Sequence, residues 1–280
     1  MEYAAPTTVD EARTLLADNP GSRVFAGATD VVPQMRSGRP KPSVLIDLKR
    51  IDRLMSVAHD NGHWTIGAAM PTSELTSNGE FSSVFPGISE GAGWIGSDQI
   101  QNRSSLGGNL CNGSPAADSV PAMIASEARV VIAGTGGERT IPVADVITGP
   151  GQLSLADGEF VVEFEIDDPP DHTGDAYIRM TPRTEMDIAI VGAAVRVTMD
   201  GDTCTDARVV LGAVAPTAVR VPDAETALIG SSLDEAALAE VAAAASAAAS
   251  PINDKRGTIE YRVQVAGVLA KRAAVLAAER

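Results

Sequence analysis

The stretch GSDQIQNRSSLGGNLCNGSPAAD, residues 96–118, combines small and polar side chains around the tripeptide Gly107-Gly108-Asn109. Because glycine has no Cβ, the backbone of such a segment can approach a ligand closely. Successive N–H groups in a loop of this kind can form a concave donor site for an anion. A shorter segment of similar character, AGATD at residues 26–30, directly follows the apolar dipeptide Val24-Phe25. These two small-residue segments predict a diphosphate held between two backbone nests.

The composition excludes several classes of partner. A chain of 280 residues with 44% hydrophobic residues is long enough for a real core and for two domains. Its formal net charge of −15 argues against a nucleic-acid partner, which needs a basic surface, and against binding to an anionic membrane. A diphosphate ligand remains compatible with this charge, because backbone N–H donors can bind it without lysines.

The cysteines, histidines and apolar runs limit the chemistry further. Only Cys111 and Cys204 are present, so the chain alone should carry no iron–sulfur cluster, which usually needs four thiolates. Two distant cysteines also form no disulfide framework, which favours a cytoplasmic location. The three histidines have no metal-ligand spacing. The alanine-rich stretch 236–250 is too short to span a membrane and is interrupted by Glu240.

The first 170 residues alternate between strand and helix signals. Thr8 and Glu11 are typical of a helix start, and apolar runs at 23–26 and 44–48 predict strands on either side of the AGATD loop. Further along, FVVEFEI at 160–166 alternates as a half-buried strand does. The run DDPPD at 167–171 then predicts a linker, and we place a domain boundary there.

The segment after residue 170 indicates a sheet followed by helices. Apolar or alternating runs at 188–198 and 207–213 predict strands, with a hairpin signal at Asp200-Gly201-Asp202 between them. Helical stretches are expected at 224–229, 233–249 and 261–278. A sheet followed by helices is an α+β arrangement.

The motifs of this chain resemble those of one flavoprotein family, the FAD-binding medium subunits of the molybdenum hydroxylases, which include xanthine dehydrogenase and carbon monoxide dehydrogenase. That family shows an AGGTD-like first loop and an RNRGTIGGNLCNASPAAD-like second loop, where this chain has AGATD and QNRSSLGGNLCNGSPAAD. The resemblance continues in YIRMTPRTEMDIAIVGAAV (177–195) and SPINDKRGTIEYRVQVAGVL (250–269). Two departures are that Ala28 replaces a usual glycine and that Ser104-Ser105 replaces Gly-Thr.

The resemblance implies an α+β fold with a two-part FAD-binding domain of the vanillyl-alcohol-oxidase (PCMH) type. This domain would cover residues 1–170, with subparts at about 1–54 and 55–170, and a C-terminal domain of sheet and helices would cover 171–280. No Rossmann G-x-G-x-x-G motif occurs, so the FAD site would not be of the Rossmann type. P-loop and common hydrolase motifs are also missing.

The resemblance also assigns roles to individual residues. Both glycine segments would embrace the FAD diphosphate, with Thr29 and Ser105 adding hydroxyl donors and Asn102 bracing the loop. Asp118 would hydrogen-bond the ribityl chain or a neighbouring cofactor group, although capping of the helix that starts near Val120 is an alternative role. Tyr177, Arg179 and Arg183 would lie near the isoalloxazine ring, where an aromatic could cover one face and a cation could stabilise the reduced flavin; a surface ion pair is the alternative role for each arginine. The expected cofactor-binding residues are Ala26, Gly27, Ala28, Thr29, Asp30, Asn102, Ser105, Leu106, Gly107, Gly108, Asn109, Asp118, Tyr177, Arg179 and Arg183.

The function implied by the resemblance is electron relay. FAD on this chain would take electrons from two-iron two-sulfur clusters on a small partner subunit, while a large partner subunit carries molybdopterin and oxidises the substrate. The flavin would pass the electrons to NAD, oxygen, a quinone or another acceptor, and two heterotrimers would pair into a dimer. A stand-alone flavin oxidoreductase remains an alternative. So does a flavin-free assembly subunit, because Ala28 and Ser104 depart from the family pattern.

Overall fold

The first sheet places the AGATD loop at the carboxyl end of an edge strand. In the computed structural model, which describes residues 1–280, this sheet has three parallel strands in the order β1-β3-β2. Ligands commonly bind at the carboxyl ends of strands in open α/β sheets.

The predicted helix start is confirmed, because the Thr8 hydroxyl accepts the Glu11 N–H at 3.1 Å. The elements are β1 (Glu2–Ala4), α1 (Val9–Asp18), β2 (Arg23–Phe25), α2 (Val31–Arg36) and β3 (Val44–Asp47).

The second sheet has five antiparallel strands in the order β4-β5-β10-β6-β7. Phe164 in the central strand pairs with Ile66 on one side and with Val130 on the other, and it is fully buried. The strands are β4 (Val57–Asp60), β5 (His63–Gly67), β6 (Arg129–Gly134), β7 (Gly137–Pro142) and β10 (Phe160–Asp167), and a small ribbon is formed by β8 (Ile147–Gly149) and β9 (Gln152–Leu153).

Six short helices lie between β5 and β6 and supply much of the core that covers this sheet. They are α3 (Thr72–Ser77), α4 (Gly79–Val84), α5 (Pro86–Gly93), α6 (Asp98–Gln101), α7 (Leu106–Cys111) and α8 (Ser119–Ala125).

The long glycine segment is therefore partly helical and not one continuous loop. The Ser105 hydroxyl accepts the Gly108 N–H at 3.0 Å and caps α7, while Leu106 and Leu110, one turn apart, are both buried. Burial of these two leucines explains why a helix forms despite the weak helix propensity of two glycines, since tertiary packing supplies most helical stability in proteins.

The third sheet is covered on both faces. Tyr177, Ala194 and Val210 on one face join the core of the second sheet, while residues such as Ala193 and Val195 on the other face pack against the helices that follow the sheet. This explains why its strands read as nearly continuous apolar runs. The elements are β11 (Thr173–Met180), β12 (Val191–Asp200), β13 (Thr203–Gly212), β14 (Val219–Arg220), α9 (Pro222–Leu228), α10 (Glu235–Ala248) and α11 (Ile259–Ala278). The predicted α+β arrangement of sheet and helices is confirmed. No helix combines the length and the apolar character needed to cross a membrane.

A polar junction connects α5, β11 and the end of the chain. The Glu90 carboxylate accepts the Tyr177 N–H at 2.7 Å and also binds Arg280, which donates to the Asp175 carbonyl oxygen at 2.9 Å. The Asp175 carboxyl group accepts the Gly87 N–H at 3.1 Å and is buried. Burial raises the pKa of Asp175 to about 7, with Glu90 adding to the rise, although the Gly87 N–H and nearby arginines oppose it.

This junction predicts a pH dependence of stability between about pH 4 and pH 7. An acid whose pKa is raised from 3.8 to about 7 by folding stabilises the native state fully only below its unfolded value, and that stability is lost as pH rises. We expect Asp175 to lower the free energy of unfolding by about 4 kcal/mol over this interval, since its pKa shifts by about three units and one unit is about 1.4 kcal/mol. Asp175→Asn should remove most of this slope, measured by urea unfolding at several pH values. The control Asp171→Asn, at an exposed carboxylate, should keep it; an equal slope in both variants would contradict the interpretation.

Candidate functional site

The two glycine segments predicted to converge are in direct contact. A Cβ built on Gly27 would lie 1.5 Å from the Arg103 carbonyl oxygen, so the backbones meet with no room for a side chain. Gly107 makes a similar contact with the turn after β5, because a Cβ there would lie 2.5 Å from the Ala68 carbonyl oxygen. These contacts join the first sheet, the turn after β5 and α7 around a common cleft.

The cleft has a volume of about 530 Å³, within the range of cofactor sites. Predicted residues from both segments line it together, which places Gly27 and Gly108 in one site. The predicted residues that line the cleft are Ala26, Gly27, Ala28, Thr29, Asp30, Ser105, Gly107, Gly108 and Asn109.

The first loop presents a row of free hydrogen-bond donors. None of the N–H groups of residues 27–31 donates to an acceptor in the chain. The loop backbone is nevertheless held in place, because the Ala28 and Asp30 carbonyl oxygens accept the N–H groups of Val32 and Gln34. Ala28 has a φ of 61°, a left-handed conformation that turns successive amides into a concave arrangement. Free amides that line a cleft in this way suit the oxygens of a phosphate group.

The second segment contributes shape more than donors. The Gly107 N–H donates to the Ala68 carbonyl oxygen at 3.1 Å, and the Gly108 N–H donates to the Ser105 hydroxyl at 3.0 Å. The expectation of a second nest is therefore wrong for these two amides, because the start of α7 and its contact with Ala68 already use them. Gly108 remains exposed at the cleft, where the missing side chain leaves room for a ligand.

Asp118 belongs to a buried ionic cluster. It accepts the Tyr177 hydroxyl at 2.8 Å and the Arg179 guanidinium at 2.6 Å, and the side chains of Arg179 and Asp118 are 4% and 9% exposed. Burial raises the pKa of Asp118 to about 6, although Arg179 and Tyr177 both lower it. The alternative role as a helix cap is wrong: Asp118 precedes α8, but its carboxylate makes no capping bond.

The cluster is adjacent to the cleft. Ser119, the next residue after Asp118, donates its hydroxyl hydrogen to the Asn109 side-chain oxygen at 2.8 Å, and Asn109 lines the cleft. Tyr177 is buried and its ring does not line the cleft, so this geometry does not present it to a flavin face.

Trp94 is the exposed aromatic beside this cluster. The Arg179 guanidinium lies over the Trp94 ring at 5.0 Å, and Trp94 is 44% exposed. Its neighbour Ile95 lines the cleft. Neither residue was predicted from the sequence. The one signal for Trp94 was that it is an aromatic residue two positions before the segment 96–118.

Besides Asp118, Tyr177 and Arg179, three further predicted residues do not line the cleft. Leu106 is buried in the core, Asn102 is exposed before α7, and Arg183 is 70% exposed and paired with Asp187 at 3.2 Å. The surface ion pair named as the alternative role for Arg183 is therefore present, and a contact between these three residues and the cofactor stays a prediction.

Further residues line the cleft although no sequence motif marked them as ligand-binding. They include Arg23, Cys111, Asn112 and Phe160. Burial raises the pKa of Cys111 to about 12, so its thiol stays protonated at neutral pH and has no nucleophilic role.

Comparison with known proteins agrees with this geometry. A family profile described as the FAD binding domain in molybdopterin dehydrogenase matches residues 1–169, and one described as the CO dehydrogenase flavoprotein C-terminal domain matches residues 176–277. The chain is 33% identical to the carbon monoxide dehydrogenase medium chain of Hydrogenophaga pseudoflava, over 98% of this chain and 95% of the relative. It is 29% identical to the xanthine dehydrogenase FAD-binding subunit of Escherichia coli O157:H7, over 96% and 93% of the two chains. Reconstituted CO dehydrogenase from Oligotropha carboxidovorans superposes with a TM-score of 0.95 at 31% identity, covering 100% of this chain and 98% of the other.

The fold and the cleft together define a flavoprotein subunit of an oxidoreductase, with FAD as its cofactor. More specifically, the chain belongs to the family of FAD-binding medium subunits of the molybdenum hydroxylases, alongside those of carbon monoxide dehydrogenase and xanthine dehydrogenase. The predicted family membership and fold are confirmed. The free amides of residues 27–31 and the room beside Gly108 fit a dinucleotide with a diphosphate bridge.

The contact between Gly27 and Arg103 predicts the effect of one added methyl group. In Gly27→Ala the methyl would overlap the Arg103 carbonyl oxygen, so the two segments must separate. We expect a loss of about 1–3 kcal/mol in stability, as for other overpacked sites, and FAD affinity reduced by at least about tenfold, equivalent to about 1.4 kcal/mol. Gly79→Ala serves as control, because a Cβ there meets no atom within 4 Å. Chemical unfolding and FAD titration measure both effects, and equal behaviour of the two variants would contradict the contact.

The left-handed conformation of Ala28 predicts that a glycine at this position raises the stability, unlike the loss expected for Gly27→Ala. Ala28→Gly should stabilise the protein by about 0.5–1 kcal/mol, because glycine adopts a positive φ without the Cβ strain, partly offset by the greater unfolded-state entropy of glycine. Ala26→Gly, at a neighbour whose φ is not positive, should instead destabilise by about 0.5–1 kcal/mol. Thermal unfolding of the two variants tests this difference, and a loss of stability in Ala28→Gly would show that the conformation is not strained.

Proposed function

We propose that this chain is the electron-transfer subunit of a molybdenum hydroxylase complex and relays electrons from iron–sulfur clusters of a partner subunit through its FAD to an acceptor. The acceptor would be NAD, oxygen, a quinone or another oxidant. The observation that carries this proposal is the row of free N–H groups at residues 27–31 along a cleft of cofactor size, in a member of this family.

Within this function, each part of the cleft has a distinct role. The amides of residues 27–31 and the hydroxyl of Thr29 would bind the diphosphate, and Gly108 would leave room for it. Asp118 would accept a hydrogen bond from the ribityl chain or a neighbouring group, with Tyr177 and Arg179 holding the carboxylate in place. When bound, FAD supplies the redox chemistry, and this chain supplies binding, orientation and electrostatics.

The residues of the cleft favour relay over independent catalysis. A stand-alone flavin oxidoreductase needs a general acid or base near its substrate, and histidine is the commonest choice. No histidine, lysine or tyrosine lines the cleft, and the Cys111 thiol is held protonated. Three carboxylates line the cleft. Asp30 lies next to the free amides, where a diphosphate would occupy the space, and Asp157 is exposed to solvent. The third, Glu159, is paired with Arg139 at 2.7 Å.

The assembly follows from the same family membership. We propose a small subunit with two-iron two-sulfur clusters and a large subunit with molybdopterin as partners, with two such heterotrimers forming a dimer in the cytoplasm. The two cysteines are free, as expected for a reducing compartment. We also propose that the FAD-binding domain covers residues 1–170, with subparts at about 1–54 and 55–170, and that residues 171–280 form the C-terminal domain.

The proposal is tested by purifying the complex through a tag on this chain. We expect flavin, molybdenum and iron to co-purify in fixed ratios with two further subunits. Flavin bleaching on addition of an oxidisable substrate should occur in the complex and not in the isolated chain. A chain that purifies alone and whose flavin is reduced directly by a small substrate would instead identify a stand-alone oxidoreductase. A folded, colourless chain that binds no added FAD would identify an assembly subunit.

A further inference from the structure

Arg23 is a half-buried cation without an anion. It lies at the start of β2, lines the cleft and is neither fully buried nor exposed. Its guanidinium group makes no ion pair and no hydrogen bond within the chain. Withdrawing a cation from water costs free energy unless an opposite charge or hydrogen-bond acceptors compensate it. An anionic ligand in the cleft would supply this compensation.

The other arginines show that this state is exceptional. Those with ion pairs to carboxylates are Arg13, Arg53, Arg129, Arg139, Arg179, Arg183, Arg196, Arg208, Arg220, Arg256, Arg262 and Arg280. Those without an ion pair are, apart from Arg23, all exposed to solvent, namely Arg36, Arg39, Arg50, Arg103 and Arg272. Only Arg23 combines partial burial with the lack of a carboxylate partner, in a chain whose net charge of −15 makes carboxylates plentiful.

The surroundings of Arg23 compensate its charge only in part. Burial and the nearby Arg39 lower the pKa of the Arg23 guanidinium, and Asp30 only partly offsets this without forming an ion pair. Burial in turn raises the pKa of Asp30. Arg23 and the residues with free amides, 27–31, line the same cleft, so a single anion there can meet both kinds of donor.

We infer that Arg23 binds a phosphate oxygen of FAD and supplies the positive charge for the diphosphate that the backbone amides lack. The inference rests on the proposal that this cleft holds FAD. A strand rises by about 3.3 Å per residue, so the Cα atoms of Arg23 and Gly27 are at most about 13 Å apart. The long arginine side chain can therefore reach a diphosphate held by the loop, and its planar guanidinium can bind two phosphate oxygens at once.

The test compares Arg23→Gln with Arg36→Gln in the full-length chain after removal of FAD. Arg36 lies on α2, is exposed and has no ion pair, so its replacement removes the same charge close to the cleft without touching it. Titration with FAD, and with ADP as the diphosphate half alone, should show about 10- to 100-fold weaker binding for Arg23→Gln, the range for a lost charged hydrogen bond. Arg36→Gln should bind both ligands as the unmodified chain does.

Two further readouts separate a ligand contact from a structural role. Arg23→Lys keeps the charge but not the planar fork, so it should recover part of the lost affinity. Without FAD, Arg23→Gln should have a Tm equal to or above that of the unmodified chain, because an uncompensated cation has been removed; a purely structural role would lower it.

Either of two outcomes would overturn the inference. The first is equal FAD affinity in Arg23→Gln and Arg36→Gln. The second is a loss for FAD with no loss for ADP, which would place Arg23 at the flavin half of the ligand. In both cases the electron relay of the assembled complex could persist, so the failure would concern Arg23 alone. If the unmodified chain bound no FAD, the proposed function would fail together with it.

Discussion

The backbone contact between Gly27 and Arg103 is the constraint on which the site depends. It joins a loop from a parallel sheet to a segment that lies more than seventy residues later in the chain and belongs to a different layer. With a side chain at position 27 the two backbones could not meet, and the cleft would widen at the point where its donors are concentrated. Binding a charged ligand between two elements requires that both be held before the ligand arrives, since ordering them on binding would reduce affinity. The contact between Gly107 and Ala68 likewise holds α7 against the turn after β5 before a ligand binds.

An acidic protein can bind an anion here because the donors are mostly uncharged. Five consecutive backbone N–H groups contribute no net charge, yet each offers a fixed dipole, and a single half-buried arginine supplies the positive charge. Most carboxylates that give the chain its net charge are not paired with arginines, so the charge of the cleft depends on its own lining residues. Within the buried cluster beside the cleft, Asp118 pairs with Arg179 and accepts a hydrogen bond from the Tyr177 hydroxyl.

The third sheet links the C-terminal part of the chain to the FAD-binding part. One face of it contributes Tyr177, Ala194 and Val210 to the core of the second sheet, and the other face packs against α9 and α11. Strand β11 is fixed further by Glu90 and Arg280, so the strand that carries Tyr177 and Arg179 is anchored from both sides. Movement of this strand would disturb the Asp118 cluster. The cluster is connected to the cleft through Ser119, which follows Asp118 and donates a hydrogen bond to the lining residue Asn109.

Most strands and long helices, the α+β class, the family resemblance and the two segments that form the cleft can be predicted from local patterns, namely periodicity, caps such as Thr8 and runs of small residues. Helix α7 cannot, because it depends on the burial of Leu106 and Leu110. Which backbone donors are free depends on how distant segments pack. The amides of Gly107 and Gly108 are used by Ser105 and Ala68, whereas those of residues 27–31 are not, and no local pattern distinguishes the two cases. The same holds for the burial of Tyr177, the exposure of Trp94 and the unpaired charge of Arg23. Each of these depends on which distant residue lies opposite it, and that is set by how the three sheets pack together.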